Sequence, residues 1–341
     1  MTDIIGWDIG GAHLKAAHLN AQRQIVNVYQ QPCPLWKGLN QLENATRLIL
    51  KTLPEAQHVI TMTGELVDFF DHRDQGVAAI LNTMQPLLTT QLSVFAGSNG
   101  ILPIEQISQS HYEAIASANW LASASFAAQT LKNALFVDIG STTTDILLLQ
   151  QGNVCIQGYS DYQRLKSQEL VYTGIIRTPV MAIAQTVLDE GEPIGLMAEY
   201  FATMADVYRL TGELNENHDQ TDTADGGEKT MFASARRLAR MLGCDFYADE
   251  LTHWQKIAKQ LRQQQLEKIV QACQQRLILA ETSNLPVIGA GVGQFLVKDV
   301  AQVLGCEYLD FATLCPNVLG KFDLSPADCA PAVAVACLLL V

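Results

Sequence analysis

Short runs of β-branched and aliphatic residues at Ile4–Ile9, Ile25–Tyr29, His58–Met62, Leu135–Ile139, Asp145–Leu149 and Val287–Ile288 predict strands, several of them followed by glycine. Between them, Gln41–Leu53, the small-residue stretch Tyr112–Leu131 and the Gly- and Pro-free Asp249–Glu281 predict helices. Strands interleaved with helices predict α/β layers. Polar, glycine-bearing text between Arg209 and Lys229 predicts a long loop, of the kind that is functional or disordered.

One pattern occurs twice. Trp7-Asp8-Ile9-Gly10-Gly11-Ala12-His13-Leu14-Lys15 and Val137-Asp138-Ile139-Gly140-Ser141-Thr142-Thr143-Thr144-Asp145 lie 130 residues apart, each reading as strand, Asp-Ile-Gly, small polar loop and second strand. Two such hairpins, each opening an α/β segment, predict a duplicated pair of lobes whose turns face one another across a ligand cleft. The first lobe is expected over 1–132 and the second over 133–341, with a helical and loop insertion at about 160–285 and with 286–341 open to division between them.

Composition narrows the class. At 341 residues, length suggests about two domains, and 22 Lys+Arg against 35 Asp+Glu give a net charge of −13. No basic run exceeds Arg236-Arg237, which argues against nucleic acid and anionic membranes as partners, since both require clustered cations. The apolar run Ala330–Val341 is shorter than the roughly 20 residues of a membrane span, and Met1-Thr2-Asp3 leads straight into a strand instead of a signal peptide; a cytoplasmic location is expected. The 8 cysteines are scattered without a Cys-x-x-Cys, which predicts small buried thiols in a reducing compartment and neither zinc nor disulfides.

In the hairpins, glycine lets the backbone turn sharply and offer N–H groups to an anion, while an aspartate at the end of the preceding strand can hold a hydrated Mg²⁺ that bridges phosphate oxygens. Asp8 and Asp138 are therefore the metal candidates. Gly10, Gly11, Lys15, Gly140, Ser141, Thr142, Thr143 and Thr144 are the phosphate candidates. A single Asp-x-Gly turn is a weak signal; its duplication is the informative observation. A third glycine cluster at Gly289, Gly291 and Gly293 follows a short strand and opens a helix, so its amides converge on one spot. It does not match the dinucleotide fingerprint.

Together these landmarks resemble the actin/sugar kinase/Hsp70 superfamily and span Asp8 to Gly293, nearly the whole chain. The resemblance implies a duplicated actin-like, ribonuclease H-like α/β fold with two lobes around a phosphate-binding cleft, and a nucleoside or substrate group packed near the turn of Gly289, Gly291 and Gly293. Ala12 departs from it, standing where many members carry a Thr or Ser hydroxyl, which puts ordinary ATP handling by the first loop in doubt. Thr61–Phe70, Ala118–Ala122, Tyr172–Pro179, Ala205–Gly212 and Thr223–Gly226 resemble the hydantoinase/oxoprolinase-related branch of tetrahydromethanopterin-linked one-carbon metabolism, and within it the archaeal methanofuran-biosynthesis condensing enzymes. That family implies a transferase joining an aminomethylfuran-methyl diphosphate to the phenol of γ-glutamyltyramine, with diphosphate leaving; Mg²⁺ at the hairpin aspartates is the cofactor expected from the residues themselves.

Such a reaction needs a stabilised leaving diphosphate, which loop amides, hydroxyls, Lys15 and Mg²⁺ could supply, and a phenol made nucleophilic by Glu65 or Asp68. Both carboxylates could instead serve as helix-start caps. Arg177 is a fork for phosphate or a substrate carboxylate, with a surface ion pair as the competing role. Asp225 and Lys229 are read as a substrate-side loop; His218, Asp219, Asp222 and Asp225 fail the EF-hand spacing. Asn119, Trp120, Tyr172 and Tyr208 read as packing residues, and His13 and His18 carry no assigned role. An ATP-dependent kinase, a hydantoinase/oxoprolinase-like hydrolase, and a non-catalytic phosphometabolite-binding or assembly subunit stand as rival readings. A small phosphorylated molecule is the expected partner, and a homodimer is left open.

Overall fold

Strong β-formers flanking two glycine turns build two sheets on one plan. In the computed structural model, which describes residues 2–319 and 323–339, the chain divides into two compact units. One holds the residues through 134, 149–156 and those from 309 onward; the other holds 135–148 and 157–308. The first sheet is formed by β1 (Asp3–Ile9), β2 (His13–Leu19), β3 (Ile25–Pro32), β4 (Ala56–Met62), β5 (Leu92–Phe95) and β6 (Ile101–Pro103), in the order β3-β2-β1-β4-β5-β6. β1 runs antiparallel to β2 and parallel to β4, which is parallel to β5. Helices α1 (Leu39–Leu50), α2 (Arg73–Met84), α3 (Tyr112–Ile115) and α4 (Asn119–Thr130) accompany it.

The second sheet repeats the plan with β7 (Ala134–Ile139), β8 (Thr144–Gln150), β10 (Leu170–Val171), β13 (Val287–Ala290) and β14 (Tyr308–Asp310) in the order β10-β8-β7-β13-β14, while β9 (Asn153–Cys155) pairs with β8. β13 is parallel to β7 and places Ala290 opposite Asp138, as β4 places Thr61 opposite Asp8. A separate ribbon, β11 (Thr186–Asp189) with β12 (Glu192–Gly195), and helices α5 (Asp161–Ser167), α6 (Met204–Thr211), α7 (Met231–Met241), α8 (Leu251–Leu277) and α9 (Gln294–Leu304) complete this unit. The last helix, α10 (Ala330–Leu338), returns to the first. This is the duplicated actin-like, ribonuclease H-like α/β fold.

β1 is buried at every position after Asp3, because a strand covered on both faces needs apolar residues without alternation. One face is covered by α10, whose alanines allow a close approach. A Cβ added at Gly6 would clash with the carbonyl oxygen of Ala332 and fall 2.9 Å from the Ala336 Cβ, so only glycine fits there. Below it, the Trp7 indole N–H donates to His58 Nδ1 at 3.1 Å, and burial pushes the His58 imidazole down to about 4.

Two predicted helices differ from those observed. Tyr112–Leu131 breaks into α3 and α4 at Ser117, which sits at φ +51° because its hydroxyl is drawn to Glu65, 2.7 Å away. Asp249–Glu281 is shorter, as α8 preceded by a tight turn over Ala248–Glu250. The polar loop between Arg209 and Lys229 is ordered by ion pairs. Arg209 of α6 holds Glu216 at 2.8 Å and Asp219 at 2.6 Å, and Arg237 of α7, wholly buried, holds Asp206 at 2.7 Å and Asp225 at 3.0 Å. All eight cysteines are free; Cys244 is exposed and the others are buried or half-buried. Among the described residues no helix is long and apolar enough to cross a membrane; Met1, Leu340 and Val341 of the terminal runs lie outside them.

Two outcomes follow for stability. Gly6→Ala forces β1 and α10 apart and is expected to cost about 1–3 kcal/mol in urea unfolding, without a change in the slope against denaturant. His58 is neutral in the folded chain and protonates only near pH 4, whereas the unfolded chain takes up that proton near 6.5. Its contribution is thus complete above pH 6.5 and is lost as pH falls from 6.5 toward 4, by up to about 3 kcal/mol. In His58→Gln, which keeps an acceptor for Trp7, the melting temperature is expected to decline less across that window.

Candidate functional site

In the first unit the turn after β1 closes when the Gly10 N–H donates to the His13 carbonyl at 3.0 Å. Two neighbouring segments then fasten the loop with three hydrogen bonds: Cys33 N–H donates to Ala12 O (2.8 Å), Leu35 N–H to Gly11 O (2.9 Å) and Thr63 N–H to Ile9 O (2.9 Å). Carbonyls are thereby consumed, while the Gly11 and Ala12 N–H groups have no protein acceptor among the described residues. A loop whose amides remain as donors favours an anion. Gly64 presses the Thr63–Val67 turn onto this loop, its added Cβ falling 3.2 Å from Ile9 O and 2.8 Å from Leu35 Cδ2.

Asp8, 6% exposed, accepts from the side-chain amide of Asn119 at 3.3 Å, the first residue of α4. Opposite Asp8, the buried Thr61 hydroxyl has no hydrogen-bond partner among the described residues. Glu65 and Asp68 part company. Glu65 is 1% exposed and accepts from the Ser117 hydroxyl, whereas Asp68 is exposed. Lys15 donates to the main-chain oxygen of Asp328 at 2.7 Å.

The second hairpin is built alike. Gly140 N–H donates to Thr143 O (2.8 Å), Ile175 N–H to Gly140 O (3.0 Å), Arg177 N–H to Ser141 O (2.9 Å) and Gly293 N–H to Ile139 O (2.8 Å). The amides of Ser141 and Thr142 are again without a protein acceptor among the described residues. The Arg177 guanidinium reaches the Thr142 hydroxyl at 3.3 Å, which lies 3.4 Å from that of Ser141. Ser141, Thr142 and Thr143 are half-buried, but Thr144 is buried and donates to Thr173 O at 2.7 Å. The three late glycines differ in role: a Cβ at Gly289 would meet the Tyr308 ring at 2.6 Å and one at Gly293 the Ile139 side chain at 2.5 Å. At Gly291, where φ is +80°, it would clash with Asp138 Oδ1. Gly291 therefore lets the backbone reach the Asp138 carboxylate, which is 9% exposed.

The structure thus gathers Asp8, Gly10, Gly11 and the Glu65 turn in one unit, and Asp138, Gly140–Thr143, Arg177 and Gly291 in the other. Asp225 and Lys229 instead close the long loop. Asp225 pairs with Arg237 and accepts from Gly227 N–H at 3.0 Å, and hydrogen bonds from Gly227, Thr223 and Arg237 outweigh its desolvation and hold its carboxyl below the usual range. Lys229 donates to the Asp219 carbonyl at 2.6 Å. No hydrogen bond or ion pair among the described residues links either to a hairpin. Sequence reasoning assigned Asn119 to packing and did not single out Ser117; the only available signal was a run of Ala and Ser too uniform to place a helix break.

No three ligating side chains gather among the described residues. An ion demanding an all-protein cage is thus a poor match. Mg²⁺ keeps most of its water and takes one or two carboxylates with substrate phosphate oxygens, a role that a near-buried aspartate beside loop amides fits. The orphaned Thr61 hydroxyl next to Asp8 is a further partner for such water.

Residues 57–329 match the family model of hydantoinase/oxoprolinase. Over 303 residues, 87% of this chain and 88% of the relative, the protein is 31% identical to (4-{4-[2-(gamma-L-glutamylamino)ethyl]phenoxymethyl}furan-2-yl)methanamine synthase of Methanocaldococcus jannaschii. A protein of the same name from Methanococcus vannielii is 32% identical over 123 residues, 36% of this chain and 55% of that one. Among solved structures, a nucleotide-free acetone carboxylase matches with a TM-score of 0.57 at 12% identity, covering 99% of this chain and 70% of that chain, a likeness of fold. The Methanocaldococcus jannaschii relative that spans most of the chain is a synthase, and with the family model covering most of its length, this chain is an enzyme belonging to the hydantoinase/oxoprolinase family.

Proposed function

We propose that this enzyme makes an aryl ether in methanofuran-type cofactor biosynthesis. The phenolic oxygen of γ-glutamyltyramine bonds to the furfuryl carbon of aminomethylfuran-methyl diphosphate, the carbon–oxygen bond to diphosphate breaks, and the phenolic proton passes to a carboxylate. The observation that carries this reading is the 31% identity along 87% of the chain to a synthase whose name is that of the ether product. The chemistry available in the hairpins supports it.

Charge accumulates on diphosphate as the bond breaks, so donors fixed in advance lower the barrier; one such donor is worth about 10²–10³ in rate. The amides of Ser141 and Thr142, their hydroxyls and Arg177 form a group of this kind. In each unit its own aspartate, Asp8 in one and Asp138 in the other, would be the carboxylate to hold Mg²⁺, which when bound offsets phosphate charge. Of the two carboxylates on the Thr63–Asp68 turn, Asp68 is the one an incoming phenol can reach, since Glu65 is buried against Ser117 and holds the turn to α4. Ala12, lacking a hydroxyl, fits a substrate whose diphosphate is released whole better than a nucleotide whose terminal phosphoryl is transferred.

The test is direct incubation with both substrates and Mg²⁺, following diphosphate release and the ether by mass. Equal amounts of the two products are expected; ATP turnover without ether would sink the reading in favour of a kinase or hydrolase. Asp8→Ala and Asp138→Ala are expected to abolish diphosphate release, while unchanged turnover in both would count against the hairpins. Asp68→Asn is expected to lower kcat by about 10²-fold, the low end of general-base effects, with KM little changed.

A further inference from the structure

α8 carries a glutamine where its neighbours are core residues. Gln265 is wholly buried, among Leu261, Leu266 and Ile269 of the same helix. Its side-chain amide donates to Thr173 Oγ1 at 2.7 Å and to Gly174 O at 3.0 Å, and its oxygen accepts from the buried Tyr208 hydroxyl of α6. Both amide protons and the oxygen are engaged, so the group fits in one orientation only. Burial pushes the Tyr208 phenol well above its ordinary range, which keeps it a donor across any working pH.

What this relay holds is the underside of the second hairpin. Thr173 O accepts from Thr144 Oγ1, and a Cβ on Gly174 would clash with Thr142 N, so Gly174 lies directly against the loop backbone. The next three residues donate N–H groups to Gly140 and Ser141 carbonyls. A buried polar side chain in an apolar core costs free energy unless satisfied, and the simpler solution for a helix face is another leucine. Here the cost is offset by fixing a segment that sets the direction of two ligand-facing amides.

We infer that Gln265, through Thr173 and Gly174, is a positioning residue that holds the Ser141 and Thr142 amides in the geometry that binds the substrate's diphosphate. This rests on the diphosphate reading above and deepens it by naming a determinant in α8 that does not touch the ligand.

The experiment measures binding of inorganic diphosphate with Mg²⁺ to the full chain by calorimetry, well below each variant's melting temperature. Gln265→Met is expected to weaken binding about tenfold and to lower the melting temperature. Leu261→Ala, one turn earlier in the same core, is expected to lower the melting temperature comparably while binding as wild type does. Thr173→Val is expected to reproduce the binding loss and Thr173→Ser to retain wild-type affinity, which carries the test should Gln265→Met not fold. Wild-type affinity in Gln265→Met and Thr173→Val, or equal loss in Leu261→Ala, would overturn the inference. If the wild-type chain itself binds no diphosphate, the diphosphate reading fails, and the positioning role falls with it.

Discussion

A single hydrogen bond, made twice, governs the rest: the glycine N–H after each Asp-Ile strand end turns back to the carbonyl three residues on, Gly10 to His13 and Gly140 to Thr143. It forces the next two residues into a tight loop whose carbonyls face the protein, where Cys33, Leu35, Ile176 and Arg177 supply donors. Amides that cannot also point inward are left as a small field of positive dipoles. Backbone N–H groups seldom go without partners. Each of the two fields lies beside a near-buried aspartate, Asp8 in one unit and Asp138 in the other.

Much of the fold was legible because its signals are local. Alternation is absent from β1 and β7 since both faces are covered, and the resulting apolar runs, ending in Asp-Ile-Gly, mark the strands and their repetition together. The break at Ser117 was illegible: Ala and Ser have acceptable helix propensity, and what bends the chain is Glu65, 52 residues away. The same limit applies to the site. Gly10, Gly11 and Gly140 announce themselves by turn chemistry, but the role of Asn119 at Asp8, or of Gln265 beneath Thr142, depends on register across elements distant in sequence. Glu65 and Asp68 are three residues apart in the same turn, and only tertiary packing decides that one is buried and the other open.

The loop after α6 illustrates how polarity misleads. Its text reads as a functional or disordered loop on the substrate side, yet it is tied by Arg209 and Arg237 to Asp206, Glu216, Asp219 and Asp225. Buried ion pairs of this sort add little net stability compared with apolar packing, while removing one partner is costly. Their value lies in specifying a single loop path, which hydrophobic contacts in so polar a segment could not do.

The first unit is woven from three separate stretches, and α10 covers the strand at its centre through contacts that only Gly6 permits. A ribosome adding about 5–20 residues per second therefore exposes β1 for some tens of seconds before its covering helix exists. During synthesis the second unit, whose chain is complete by Tyr308, is the earlier of the two to acquire all its parts. The unit that begins first is therefore completed last, and until then β1 stands as an apolar strand without its cover.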